Sequence, residues 1–418
     1  MASMAIPEEL LAIPDVEVET IETTASGEVI ITVHSTKKGT KCRKCGRWIE
    51  KCHGHDDPIL LRHLSLFGRK VYLRVCPARY QCLQCHRRPT TTERVSWRTP
   101  RSDYTLAYEK HILWEFVNST VEDVSVKEDI GYDAIMGILD RHIRGKVDWN
   151  QVEAFDVLGL DDLSLKKGHR DFVTIVTGRK GDTITILSIL PNRKKATVKR
   201  FLNRMPRRFR RRITTVCSDM YTGFINAVKE VLGRCVIVVD RFHVAKNYRA
   251  VLDRVRKQEL KRLKSTLSAS AYKKLKGVMW MLRKPKEALT KPEALTVAFL
   301  FCHSPLLEQV YTACQEFTAI FDAPLSKRDA MHHIIHWKLQ VKRQGLTCFR
   351  TFLTTLDTYL HEITHYFFKR QTSGFVEGFN NKLKVLKRRC YGIVNVTHFY
   401  QRIVLDLEGY LRFAYIMR

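Results

Sequence analysis

No stretch of this 418-residue sequence is apolar for long enough to cross a bilayer, which sets integral membrane functions aside. The opening residues, MASMAIPEELLAIP, lack the basic-then-apolar layout of a signal peptide, so a reducing cytosol is the expected compartment. There the twelve cysteines read as thiols or metal ligands rather than disulfides. A glycine-rich phosphate loop is missing, and so is any internal repeat or low-complexity tract. Acids are scarce. Asp and Glu number 43 against 72 Lys and Arg, a formal charge of +29 with a pI near 9.8. The excess is spread along most of the chain, so it belongs to folded surfaces, and nucleic acid is the partner such a field attracts. With 44% hydrophobic residues a real core is expected, and the length calls for two to four domains.

The first hundred residues read as a small zinc-binding domain. GEVIITVHS and KVYLRVCP alternate as half-buried strands do. Cys42/Cys45 and Cys82/Cys85 each have the two-residue gap that lets both thiolates reach one tetrahedral Zn2+. The 36 residues between the pairs need a folded strand pair inside the loop, and Cys52, His53, His55 and Cys76 are rival ligands. Residues 101–150 turn to helical periodicity. Helices near 119–129 and 133–144 flank Gly131, with Asp133 as N-cap of the second. Val124, Ile130, Ile135, Ile138 and Leu139 would form the core of a helix-turn-helix whose second helix is free for a DNA groove.

From residue 151 to 240 the pattern is α/β. FDVLGLDD reads as a strand ending in acids, and DFVTIVTGRKGDTITILSIL as two strands around a turn. A helix, the buried strand ITTVCSD, a second helix and the buried strand CVIVVD follow. Three strands, helix, strand, helix, strand fit the mixed sheet of ribonuclease H-like domains. Residues 241–370 look almost wholly helical and read as an insertion before residues 371–418 complete the core. The fold expected is multidomain α+β: zinc domain, helix-turn-helix, and an RNase H-like core interrupted by an all-α insertion.

Three acids stand in suggestive places: Asp161 (with Asp162 beside it) ending the first strand, Asp219 ending the fourth, and Glu377 heading a basic C-terminal helix. The first and fourth strands of such a sheet are neighbours, so these carboxylates can converge on hard cations such as Mg2+, which prefer carboxylate oxygen. Asp240, closing VIVVD, is a further candidate. On a helical wheel Glu377, Asn381, Lys384 and Arg388 share one face, and Phe379, Leu383, Leu386 and Cys390 the other.

The blocks LDDLSLKKGHRDFVTIV, VCSDMYTGF, VVDRFHVAK and SGFVEGFNNKLKVLKRRCYGI resemble those of the bacterial DDE insertion-sequence transposases of the ISL type. The paired CxxC motifs followed by a helix-turn-helix match that family's layout, so the resemblance covers nearly the whole chain. It implies a catalytic triad of Asp161, Asp219 and Glu377 holding two Mg2+ (or Mn2+), supported by Asp240 and His243. One departure is Leu-Asp-Asp where the family often has Ile-Asp-Glu, which leaves Asp161 and Asp162 as competing first ligands. It further implies cleavage at the element's terminal inverted repeats to free a 3′-OH, which then attacks target DNA.

Lys382, Lys384, Lys387, Arg388 and Arg389, with the segment RKKATVKRFLNRMPRRFRRR, would hold the DNA backbone. Two element ends must be paired, so a homodimer or larger synaptic assembly is expected, acting in the bacterial cytoplasm on the nucleoid. Trp280 and Trp337 would pack in the insertion's core or stack on a distorted base. Two alternatives stay open: a non-catalytic zinc and helix-turn-helix regulator, and a nuclease of the same fold that cuts without joining.

Overall fold

The computed structural model describes residue 11 and residues 13–165, 172–369, 374–390 and 395–414, without the side chains of residues 369, 374–378 and 380. The chain forms two compact units. One takes the residues up to Arg144 together with those from Gln401 on, and the other takes Gly145–Tyr400. Residues 371–418, expected to stay with the core as one segment, therefore divide at Tyr400. Among the described residues no helix is long and apolar enough to cross a membrane.

The first unit opens with strands β1 (Val16–Thr23) and β2 (Val29–Ser35), then the short β3 (Thr40–Lys41), β4 (Trp48–Ile49) and β5 (Cys52–His55). The hairpin β6 (Ile59–Leu66) and β7 (Arg69–Val75) follows, then β8 (Ala78–Gln81) and β9 (Thr90–Thr92). The long strands make one sheet in the order β1-β2-β7-β6, with β2 and β7 parallel. Val29, Ile31 and Val33 on β2 and Val71, Leu73 and Val75 on β7 are buried, the period-two alternation of a half-covered sheet. The short strands form two smaller sheets over a core of Cys42, Ile49, Ala78, Tyr80 and Cys82.

Only Phe67 and Gly68 connect β6 to β7, both with positive φ (48° and 76°), the pattern of a type I′ turn. Left-handed backbone costs a non-glycine residue about 1–2 kcal/mol. The Phe67 side chain is 95% exposed.

Three helices complete this unit: α1 (Leu106–Phe116), α2 (Val121–Glu128) and α3 (Tyr132–His142). Thr120 and Asp123 close a capping box on α2, and Asp129 ends it in the left-handed region. The N-cap of α3 is Gly131 and not Asp133, which lies in the first turn, where the helix dipole favours an acid. Val124, Ile135, Ile138 and Leu139 are fully buried as expected, and Ile130 is half-buried. The second helix is less free than its sequence implies. Asp140 accepts from Gln401 Nε2 at 2.8 Å, and Arg141 and His142 both turn inward to Glu109.

Glu109 is 0% exposed and accepts from Arg141 (2.6 Å), His142 (2.7 Å), Ser102 (2.7 Å) and Thr99 (3.1 Å). Burial alone would raise its pKa. The hydrogen bonds from His142, Ser102 and Arg141 outweigh it and hold the carboxyl at about 2. Removing one partner of a buried pair costs about 3–5 kcal/mol. Because Arg141 is partly exposed, Glu109→Ala is expected to cost about 2–3 kcal/mol in denaturant unfolding. The carboxylate's contribution is complete above its unfolded pKa of about 4.3 and vanishes as pH falls towards 2. Glu109→Gln should therefore flatten the acid limb of the stability curve.

Arg402, in the helix Val396–Phe413, is 1% exposed and also belongs to this unit. Its guanidinium lies 3.7 Å from the centre of the Phe116 ring and donates to the carbonyls of Phe116 and Ser119.

The second unit is built on β10 (Val157–Ser164), β11 (Phe172–Lys180) and β12 (Thr183–Leu190), followed by α4 (Lys195–Arg204), β13 (Thr215–Ser218), α5 (Thr222–Val231) and β14 (Val236–Val239). Strand order is β12-β11-β10-β13-β14, antiparallel across the first three and parallel from β10 to β14. All four residues of β13 are buried, as expected for a central strand covered on both faces.

From Arg241 to residue 369 the described chain holds helices and no strand. The long ones are α6 (Arg241–Thr266), α7 (Lys291–His303), α8 (Pro305–Asp322), α9 (Lys327–Arg343) and α10 (Arg350–Thr364). Trp337 is 2% exposed there, donating to the Ala313 carbonyl, so it is a core residue. Trp280 is 62% exposed, with Arg283 against its ring. Helix α11 (Gly374–Arg389) follows. Its Phe379, Leu383 and Leu386 are buried and Cys390 half-buried while Asn381, Lys384 and Arg388 are exposed, the division read from its wheel.

Candidate active site and cysteine centre

Parallel pairing aligns Leu160 with Ser218 and Ser218 with Val239. The next residue on each of these three neighbouring strands is an acid: Asp161, Asp219 and Asp240. Strand β10 runs on past its acids to Ser164, still paired with β11. The acids thus stand where β10 and β13 part, at the carboxyl ends of parallel strands, where ligands bind in open α/β sheets.

Carboxylate oxygens of Asp161, Asp162 and Asp219 lie within 4.8 Å of one another. The Asp162 amide donates to Asp161 Oδ1 at 2.7 Å, and Arg193 donates to Asp162 Oδ2 at 3.0 Å. Asp219 Oδ1 is buried with no hydrogen-bond partner among the described residues. Burial, reinforced by Asp162 and Asp161 and opposed by Arg193, pushes the Asp219 carboxyl up to about 8. Burial also lifts Asp161 to about 7; the Asp162 amide and Lys384 pull it down, while Asp162 and Asp240 push it up. A half-buried acid cluster with an orphaned buried oxygen fits a hard divalent cation, which would supply the missing opposite charge.

Asp240 caps α6, accepting from the Phe242 amide at 2.9 Å, and is buried. His243 is half-buried one turn on. Lys387 of α11 donates to the Ser164 carbonyl at 2.6 Å, which fastens this basic helix to the end of β10. The Glu377 side chain lies outside the described residues. Arg193 went unnoticed as a site residue in the sequence. Its signal was its place as the first base after β12, and its guanidinium also covers the rings of Phe172 and Tyr221.

In the first unit the thiols of Cys42, Cys45, Cys82 and Cys85 also gather within 4.8 Å. Cys42 and Cys85 are 4.0 Å apart and Cys45 and Cys82 3.8 Å. Four thiolates about 2.3 Å from a tetrahedral Zn2+ are about 3.8 Å apart, so the cluster has the right size. Backbone amides of Cys45 and Lys44 aimed at Cys42 lower its pKa to about 6, favouring the thiolate a metal needs. Cys52, His53, His55 and Cys76 are exposed and outside the cluster.

Residues 158–403 match the transposase family model of the ISL3 DDE type, and the chain belongs to that family. It is a DNA transposase, an enzyme that cleaves DNA and transfers its strands. Two relatives extend the likeness over most of the chain. The transposase for insertion sequence element IS1001 of Bordetella parapertussis is 29% identical over 391 residues, covering 91% of this chain and 92% of the relative. The transposase for insertion sequence element IS1557 of Mycobacterium tuberculosis is 21% identical over 427 residues, covering 95% and 93%.

Proposed function

We propose that this transposase binds the terminal inverted repeats of its element and works through a DDE triad of Asp161, Asp219 and Glu377 on an RNase H-like core. The observation that carries the reading is the buried, unpartnered oxygen of Asp219 beside Asp161 at adjacent strand ends. The strand order, a three-strand meander extended by two parallel strands, is that expected of an RNase H-like sheet, with residues 241–370 as the all-α insertion. The domain plan is a zinc-binding domain over 1–100, a helix-turn-helix over 101–150, and a core over 151–240 and 371–400, the residues from Gln401 on belonging to the first unit.

Two Mg2+ (or Mn2+) held by the triad would supply Lewis acidity at the scissile phosphate. Arg193 pairs with Asp162 and neutralises part of its charge, so Asp161 is taken as the first ligand with Asp162 beside it. Asp240 and His243 support the strand ends. Lys382, Lys384, Lys387, Arg388 and Arg389 hold the substrate backbone on α11. Water adds to phosphorus at the element end and the P–O3′ bond breaks, freeing a 3′-OH. That oxygen then attacks a target phosphodiester and displaces the target's own 3′ oxygen. Zn2+ on Cys42, Cys45, Cys82 and Cys85 orders the first unit, which engages the repeats. The enzyme acts on nucleoid DNA in the cytoplasm, as a homodimer or larger synaptic assembly.

Incubation with Mg2+, labelled element-end duplex and target plasmid tests this. Cleaved and joined products are expected from wild type and neither from Glu377→Gln. Binding without cleavage would establish the regulator instead, and cleavage without joining the nuclease.

A further inference from the structure

The helix-turn-helix is poorly charged for holding DNA. From Val121 to His142 it carries six acids (Glu122, Asp123, Glu128, Asp129, Asp133 and Asp140) against two bases, Lys127 and Arg141. Lys127 pairs with Glu115, and Arg141 is spent on Glu109. With Asp133 exposed in its first turn, α3 presents phosphate with a repulsive surface.

The β6–β7 hairpin has the opposite character. Residues 59–75 hold Arg62, Arg69, Lys70 and Arg74 and no acid. The hairpin is braced against the helical turn. Lys70 pairs with Asp129, and Arg62 lies against the rings of Tyr72 and Tyr108 while donating to the Glu128 carbonyl at 3.4 Å. At its tip the chain holds a phenylalanine in left-handed backbone and in solvent, where a type I′ turn prefers Asn-Gly. Leu66 beside it is partly exposed, and Arg69 just after it is exposed. A rigid apolar point followed by cations is the chemistry of side chains that wedge into the minor groove while bases neutralise the flanking phosphates.

We propose that this hairpin, rather than α3, is the principal DNA contact of the first unit, with Phe67 inserted at the duplex and Arg69 on the phosphates. The proposal rests on the reading that this unit binds element-end DNA. Strain at Phe67 is retained because an asparagine there would hold the same turn without a wedge.

Full-length Phe67→Asn tests it, since the substitution suits the turn and should leave the unfolding temperature equal or higher. Binding to element-end duplex, without divalent metal so that chemistry plays no part, should weaken about 10- to 100-fold, the scale of one lost base-stacking aromatic. Wild type should brighten a 2-aminopurine placed at the contacted step, and Phe67→Asn should not. Arg69→Ala should reduce the slope of log affinity against log salt by about one ion. Wild-type affinity and fluorescence response in a stably folded Phe67→Asn protein would overturn the proposal. So would unchanged DNA binding combined with a smaller assembly by light scattering, which would make the tip a contact between copies. If wild type itself failed to bind the duplex, the underlying reading would fall instead.

Discussion

Asp219→Asn protein should bind element-end DNA as tightly as wild type, cleave it at least about 10³-fold more slowly, and unfold at a higher temperature without metal. The three outcomes share one cause. Asp219 sits half-buried among carboxylates in a place that favours its neutral form, with one buried oxygen unsatisfied. With its pKa raised from the ordinary 3.9 or so to about 8, metal-free stability falls as pH climbs between those values, because the unfolded carboxyl ionises while the native one keeps its proton. Asparagine removes that penalty, so its stabilising effect should be small near pH 5 and largest above pH 8. A gain of 1 kcal/mol moves a unit of this size by about 2–4 °C. Losing a charged ligand removes several kcal/mol of transition-state stabilisation, about three powers of ten in rate. Calorimetry at pH 5 and 8.5, set beside single-turnover cleavage, reads both sides. Equal unfolding temperatures at both pH values, or cleavage at the wild-type rate, would refute the assignment. Stability given up for activity is the usual signature of a working site.

Cys82→Ser should reduce bound zinc from about one ion per chain to none and open residues 40–92 to protease. The region has little else to hold it. Its core is five residues, two of them the cysteines Cys42 and Cys82, and β3, β4 and β9 are two or three residues long. Structural Zn2+ in small modules contributes about 10–16 kcal/mol, far more than such a core provides. Elemental analysis with limited proteolysis checks this. Cys76→Ser, outside the cluster, should leave both unchanged. Zinc retained at full stoichiometry by Cys82→Ser would show that the four thiols are not its site.

Much of this was legible in the residue pattern. The runs TTVCSD and CVIVVD are largely buried because β13 and β14 pair in parallel beneath the flanking helices, and the acids that close them mark the strand ends. The paired CxxC motifs pointed to four thiols that the fold gathers within 4.8 Å, since each pair's geometry is local. What escaped the sequence depends on distant partners. Nothing near Arg141 announces that Glu109 will claim it, and nothing near Asp140 announces Gln401, which is 261 positions away. The first cap of α3 was misplaced for a nearer reason: glycine caps with its backbone alone, so Asp133 looked the better candidate. Arg193 was hidden among ten other bases in its segment, RKKATVKRFLNRMPRRFRRR, and only the fold brings it to Asp162.

Arg402 has a consequence for how the element lives in its host. The carbonyls of Phe116 and Ser119 wait for a guanidinium that leaves the ribosome more than 280 residues later. An amino-terminal fragment, from a nonsense mutation or a nick ahead of residue 401, keeps every base of the β6–β7 hairpin but loses that keystone. Such a fragment should be cleared by proteolysis before it accumulates on DNA. Decayed copies of the element would then seldom produce stable competitors that occupy its ends and silence the intact one.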